Sequence, residues 1–218
     1  ANAEYNNDPH IKGKIFKQEQ IQWGKRPRLN HMKIIAGHWD VAYAGNKDSD
    51  YNAVRVWGLY KNQFWYIDSF VRQTKMKAAL QWMAYFQTQL PPTVTVHWRF
   101  EAQFWNDEVK RTIQEVEDEE DIKLNLVKVD TPRTRKYDRL ISMQPYYQNG
   151  RPYYDQDKKS HKDTQTGLQQ LYGIEPGYRT HDDAPDADEQ CIRYLEKHIA
   201  GRRGKSRSGK YNRNKKRR

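Results

Sequence analysis

Apolar and polar positions along the first hundred residues fall into short runs that mark strands. Lys33 to Trp39 is rich in Ile and small apolar residues and delivers Asp40 at its end. Tyr51 to Tyr60 (with a strand core from Asn52) and Gln63 to Arg72 are aromatic and β-branched, and the Lys61-Asn62 turn between them predicts a hairpin. Thr74 is positioned to cap a helix over Lys75 to Gln89, with Ala79, Trp82, Met83 and Phe86 on one face and Pro91-Pro92 as its stop. Thr93 to Phe100 alternates Val with polar residues as a fourth strand and hands over to Glu101. Phe104 to Glu117 predicts a helix, Glu115 to Asp121 a solvated loop, and Leu124 to Val129 a fifth strand.

The second half reads mainly as helix. Arg133 to Met143 and Asp163 to Leu171 predict helices, and Tyr146 to Tyr154, centred on Asn149-Gly150, predicts a small hairpin. A last helix over Ala184 to Ile199 has Ala187, Cys191, Tyr194, Leu195 and Ile199 on one side. Residues 1–31 show no sustained period and are expected as an extended lead-in with one short strand near Lys14 to Phe16. The order of elements predicts an α/β fold, a mixed central sheet of about five strands flanked by helices.

Composition changes this picture mainly at the ends. With 218 residues, 15 Tyr and 7 Trp, the chain has enough bulk to bury a core although only 36% of it is hydrophobic. The single Cys191 excludes an internal disulfide and a Cys-rich zinc site. No apolar run approaches the ~18 residues of a membrane span, nothing resembles a signal peptide, and the first residue is not Met, which suits a processed product or an excised domain. Of the net charge of +11, the stretch from Gly201 to Arg218 supplies ten Lys or Arg and no acid, so the rest is nearly neutral. That tail is expected to be disordered alone and to bind polyanions in a salt-sensitive way, with Arg202, Arg203, Lys205 and Arg207 among the DNA contacts. Three regions result: a lead-in over 1–31, a domain over 32–200, and a basic tail over 201–218. Gly201-Arg202-Arg203-Gly204-Lys205-Ser206 is two residues short of a P-loop and follows no strand, so it is not a nucleotide site.

The candidate chemistry lies in acids at element ends. Asp40 closes the first strand, Glu101 closes the fourth, and His181-Asp182-Asp183-Ala184-Pro185-Asp186 opens the last helix. If the first and fourth strands are neighbours, Asp40 and Glu101 project from one edge of the sheet. Oxygen donors of that kind favour Mg²⁺ or Mn²⁺ over zinc, and two such ions roughly 4 Å apart are what in-line displacement at a phosphodiester uses. The acids of the last helix also fit plain N-capping, with Asp186, Asp188 and Glu189 near the positive end of the dipole.

The series Asp40-Val41-Ala42-Tyr43-Ala44 through Asp50-Tyr51-Asn52-Ala53, then Phe100-Glu101-Ala102-Gln103-Phe104, then His181 to Ala187, resembles the nuclease half of phage large terminases, the DNA-packaging motor proteins. Glu4 to Pro9 with Gly13 to Phe16 is similar to the segment where those proteins leave their ATPase domain, and Arg133 to Gly150 is similar to their Lys/Arg-bearing helix and hairpin. The likeness covers nearly all of residues 4–199. It implies an RNase H-like fold and a metal-dependent endonuclease that cuts concatemeric double-stranded DNA with two Mg²⁺ or Mn²⁺ ions. Asp40 and Glu101 would be the first two ligands, and the third falls on Asp182 or Asp183, with Asp183 preferred. Asp186 would be a supporting or alternative ligand, Asp50 an accessory acid, and His181 would orient water or a ligand. Lys136 and Arg139 would contact phosphate or stabilise charge; both also fit a solvated helix face. The implied partners are the portal, the small terminase subunit and an ATPase domain absent from this chain, and the implied location is the cytoplasm of an infected bacterium. Alternatives are a junction-resolvase or transposase-like nuclease on the same scaffold, or a non-catalytic DNA-binding module using the tail and aromatics such as Trp98, Trp105 and Tyr146.

Overall fold

A computed structural model describes residues 13–43 and 50–199. The five expected strands are present as β2 (Ile34–Asp40), β3 (Asn52–Tyr60), β4 (Gln63–Arg72), β5 (Val96–Glu101) and β6 (Val127–Val129), joined by two short ones, β1 (Trp23–Gly24) and β7 (Pro152–Asp155). They form one mixed sheet in the order β1-β7-β4-β3-β2-β5-β6. β2, β3 and β4 pair antiparallel as a meander, whereas β5 joins β2 in parallel and β6 joins β5 in parallel. The parallel pairs require crossovers, and the helices α1 (Met76–Thr88) and α2 (Asp107–Glu120) supply them.

Strand alternation assigns each face its helices. Ile35 and Trp39 of β2 and Val96, Trp98 and Phe100 of β5 pack with Leu80, Met83, Val109, Ile113 and Val116 of α1 and α2. Ala36 of β2, Trp57 and Leu59 of β3 and Tyr66 of β4 pack on the opposite side with Leu168, Cys191, Ile192 and Leu195, which belong to α5 (Lys162–Tyr172) and α6 (Asp183–Glu196). Trp39, Trp57 and Trp98 are at most 1% exposed, and each large apolar side chain so buried contributes about 1.5–3 kcal/mol. Gly37 is what lets β2 and β5 approach here: a Cβ on it would lie 2.3 Å from the Trp98 ring.

Several local expectations are corrected. Lys14 to Phe16 is not a strand; Phe16 is fully buried against the α5–α6 layer, and the strand of this segment is β1, paired in parallel with β7. Thr74 does not cap α1, whose N-cap Lys75 makes no side-chain bond. The acidic stretch after Glu115 is helical through Glu120, because Val116 continues the buried face and Lys77 reaches across from α1 to Glu115 and Glu119 at 2.7 and 3.0 Å. No hairpin spans Tyr146 to Tyr154. Pro145 starts the short helix α4 (Gln144–Gln148), Gly150 turns the chain at φ 66°, and β7 then lies parallel to β4. The Asn-Gly pair therefore ends a helix, where a positive φ is also wanted. The helix before it is only α3 (Lys136–Ile141). Among the described residues no helix is long and apolar enough to cross a membrane; the basic tail lies outside them.

Candidate active site

The register of β2 and β5 pairs His38 with Arg99, so two residues further on Asp40 stands beside Glu101. Period-two alternation turns both toward α6, whose first residue is Asp183 and whose first turn also carries Asp186. Glu101 is 6% exposed and held at both oxygens: Gln190 of α6 donates to Oε1 at 2.8 Å, and Gln103 donates to Oε2. Asp40 differs. Among the described residues no side chain donates to it, and burial, with repulsion from Asp186, Asp183 and Glu101, raises its pKa well above the carboxylate range against the pull of Lys136.

The three aspartates of the helix start have distinct surroundings. Asp182 accepts from Tyr178 and lies 3.5 Å from Lys136 Nζ. Asp186 accepts from Arg139 Nη1 at 2.9 Å and lies 3.8 Å from Lys136. Asp183 has no Lys or Arg partner among the described residues; the backbone N–H of Tyr51 donates to it at 3.1 Å, and His181 Nδ1 is 3.7 Å away. Burial raises its pKa to about 6, with Asp50 and Asp182 pushing in the same direction against the Tyr51 N–H and His181. His181 also reaches the exposed Asp50 at 3.6 Å and sets its ring edge-on to Tyr51. Asp50, His181 and Asp183 are the one set of such side chains, among the described residues, whose ligand atoms all lie within 4.8 Å of one another. Asp40 and Glu101 stand outside that set, so the tightest group differs from the expected trio of Asp40, Glu101 and Asp183.

Of the expected phosphate contacts, Lys136 is half-exposed at the start of α3, with its pKa raised although burial opposes the charge, because Asp182, Asp186 and Asp40 surround it. Arg139 is not on a solvated face. It is 9% exposed and its Nη1 donates to Asp186 and Glu189, at 2.9 and 2.7 Å, so it ties α3 to α6. Arg202, Arg203, Lys205 and Arg207 lie outside the described residues. Trp98 is buried and Tyr146 packs edge-on to Phe64, which leaves Trp105, 38% exposed, as the accessible ring of the three aromatics considered for stacking.

Sequence reasoning missed the residues that hold the acids. Gln190 follows Asp183 and Asp186 at i+7 and i+4, a helical spacing that could have identified it. Asn52 is fully buried and makes four bonds: its Oδ1 accepts from Trp39 Nε1 and Ala42 N, both at 3.0 Å, and its Nδ2 donates to Ala42 O and Thr74 O at 2.9 and 2.7 Å. It thereby fixes the chain on both sides of Asp40. His38, buried on the same face, has its pKa lowered to about 3 by burial and by Arg99, Arg193 and Arg139.

The mixed sheet, with helices on both faces and an acid-bearing helix across one of them, is an α/β arrangement consistent with an RNase H-like fold. More particularly, the chain has the fold of terminase nuclease domains. It is similar to the Mn-soaked human cytomegalovirus terminase nuclease domain, with a TM-score of 0.59 and 14% identity over 85% of this chain and 97% of that one. It is similar to the large terminase of a thermophilic bacteriophage, at 0.54 and 12%, over 84% of this chain and 45% of that one. The large terminase nuclease of the thermophilic phage G20c, with bound magnesium, matches at 0.50 and 14%, over 82% and 96%. No protein-family profile matches the sequence, and no curated protein matches it.

Proposed function

We propose that this chain is a metal-dependent endonuclease that cuts concatemeric double-stranded DNA during genome packaging. The observation that carries the reading is the β2–β5 register, which sets Asp40 beside Glu101 beneath the acids of α6. The donor set suits a hard divalent cation. Asp40 is a half-buried carboxylate without a donor among the described residues; burial raises its pKa first and repulsion from Asp186, Asp183 and Glu101 adds to it, and a cation among them would relieve that repulsion.

Asp40, Glu101 and Asp183 are the ligands in this reading, with Asp50 and His181 beside Asp183. Asp182 and Asp186 are already engaged by Lys136, Tyr178 and Arg139, which favours Asp183 over them. Two Mg²⁺ or Mn²⁺ ions, when bound, would supply the activation of water and the stabilisation of the leaving 3′ oxygen. The chain's own contribution is positional: Gln190 and Gln103 fix the Glu101 carboxylate, Asn52 fixes the backbone around Asp40, and the Tyr51 N–H orients Asp183. Lys136 offers an ammonium at the rim of the acids, positioned to meet a phosphate. The portal, the small terminase subunit and a separate ATPase domain would be its partners in the cytoplasm of an infected bacterium.

Plasmid cleavage in Mn²⁺ or Mg²⁺ tests this. Cleavage should require metal and vanish in Asp40→Asn and Asp183→Asn; an Asp40→Asn protein that cuts as well as the parent would sink the assignment.

A further inference from the structure

Between the β5–β6 edge and the C-terminal half of α6 lies a groove of about 370 Å³, lined by Arg99, Gln190, Arg193, Tyr194 and Lys197, with Asp130 its single acid. Arg99 is fixed in it: its guanidinium carbon sits 3.7 Å from the centre of the Tyr194 ring, and the Tyr194 hydroxyl is bonded to His97 Nδ1 at 2.9 Å. Among the described residues no carboxylate lies within ion-pair distance of Arg99 or Lys197. Arg193 is held by Glu189 and by Gln190 Oε1, yet its side chain remains 42% exposed. Lys128 also borders the groove, but its ammonium lies 4.1 Å over the Trp105 ring.

The groove is joined to the acid cluster through one side chain. Gln190 donates to Glu101 Oε1 at 2.8 Å and accepts from Arg193 Nη2 at 2.6 Å, so a candidate metal ligand and a groove cation share one amide. Along β5, Glu101 and Arg99 project to the same face two residues apart, about 6.6 Å. A cluster of acids repels a polyanion, so affinity for one has to come from cations close by that the protein has not neutralised itself. Arg99 and Lys197 meet that condition. A planar guanidinium braced on an aromatic ring is also suited to phosphate oxygens.

We propose that this groove is a subsite for the phosphodiester backbone of a nucleic acid, adjoining the position where the scissile phosphate meets the acids. The inference rests on the nuclease reading and adds to it the path of the substrate: down α6 from Glu101 toward Lys197. The contacts are to backbone, so they carry no base preference.

The test measures duplex binding by the full chain in EDTA, by fluorescence anisotropy across a salt series, for Lys197→Gln, Arg99→Gln and the double variant. The basic tail is common to all of them and cancels in the comparison. Each substitution should lower the slope of log K against log salt by about 1, and the double variant by about 2. Lys25→Gln/Lys61→Gln, at the other edge and end of the sheet, should keep the parental slope. A parental slope in the double variant overturns the proposal; if Arg99→Gln loses its fold by circular dichroism, a parental slope in the exposed Lys197→Gln does the same. Parental cleavage in Mn²⁺ is measured alongside. A lowered slope without cleavage sinks the nuclease reading and upholds a nucleic-acid groove, whereas cleavage with unchanged slopes sinks the groove alone.

Discussion

Asp188→Ala should unfold this protein more readily than any apolar truncation of similar size. Asp188 is 1% exposed, and its Oδ1 accepts from Arg55 Nε and Trp57 Nε1, both at 2.7 Å. Arg55 is also 1% exposed; burial opposes its charge, but Asp188, with Tyr66 and Tyr154, together outweighs that and raises its pKa. Removing the carboxylate leaves a buried guanidinium with Ser69 Oγ, at 3.0 Å, and the Tyr66 ring as its remaining partners. Breaking one side of a buried pair costs about 3–5 kcal/mol. For a chain of 218 residues that corresponds to a melting point lower by about 6–20 °C. In urea, with an m value of about 3 kcal/mol/M, the midpoint should fall by about 1–1.7 M. The double replacement Arg55→Met/Asp188→Leu should recover part of the loss, since it removes the stranded charge while leaving the buried Trp57 indole N–H without its acceptor. A loss below about 1 kcal/mol in Asp188→Ala, or a double variant as unstable as the single one, would refute the view that this pair seats α6 on the sheet.

Other substitutions probe the site and its supports. Asp40→Asn should be more stable than the parent in metal-free buffer near neutral pH: a carboxyl whose folded pKa is raised costs stability once ionised, by about 1.4 kcal/mol per unit, and the amide removes that cost. Mn²⁺ at a hundred times its Kd should raise the parent's stability by about 2.7 kcal/mol and Asp40→Asn by less; calorimetry showing the variant to be the less stable in EDTA would contradict the electrostatic account. Asn52→Leu should cost at least about 3 kcal/mol in urea titration, because it orphans Trp39 Nε1, Ala42 N–H and two carbonyls at once, and a loss under about 1 kcal/mol would remove Asn52 as the clamp around Asp40. Gly167→Ala should cost about 1–3 kcal/mol although Ala favours helix, since its Cβ would meet Arg55 Nη1 at 2.3 Å; a stabilised variant would show that Arg55 can move.

The sheet core and helix faces were legible because their periods are long and clean. β2 through β5 and α1 stand close to where alternation and the Ala79-Met83 face put them. What was not legible depends on contacts distant in sequence. Trp23-Gly24 is a strand because it pairs with β7, and Pro152–Asp155, expected as one arm of a local hairpin, pairs instead in parallel with β4 and β1. The Asn-Gly signal was real as a positive-φ turn, yet a turn residue does not say whether strand or helix precedes it, and here the short helix α4 precedes it. For the site, the acids were visible from their positions at element ends. Arg139 looked like a surface cation because its carboxylate partners, Asp186 and Glu189, lie on another helix.

The separation in sequence of the parts of the site bears on when it can exist. Asp183 meets Tyr51 across 132 residues, Asp188 meets Arg55 across 133, and Gln190 meets Glu101 across 89. None of these contacts can form on a ribosome until nearly all of the domain has emerged, and at roughly 5–20 residues per second that delay is many seconds. The two strand acids are made early and wait without their partner helix. Under the proposed function, the acids would come together as one site only when α6 docks on the sheet, so the order of synthesis would set when the chemistry can begin.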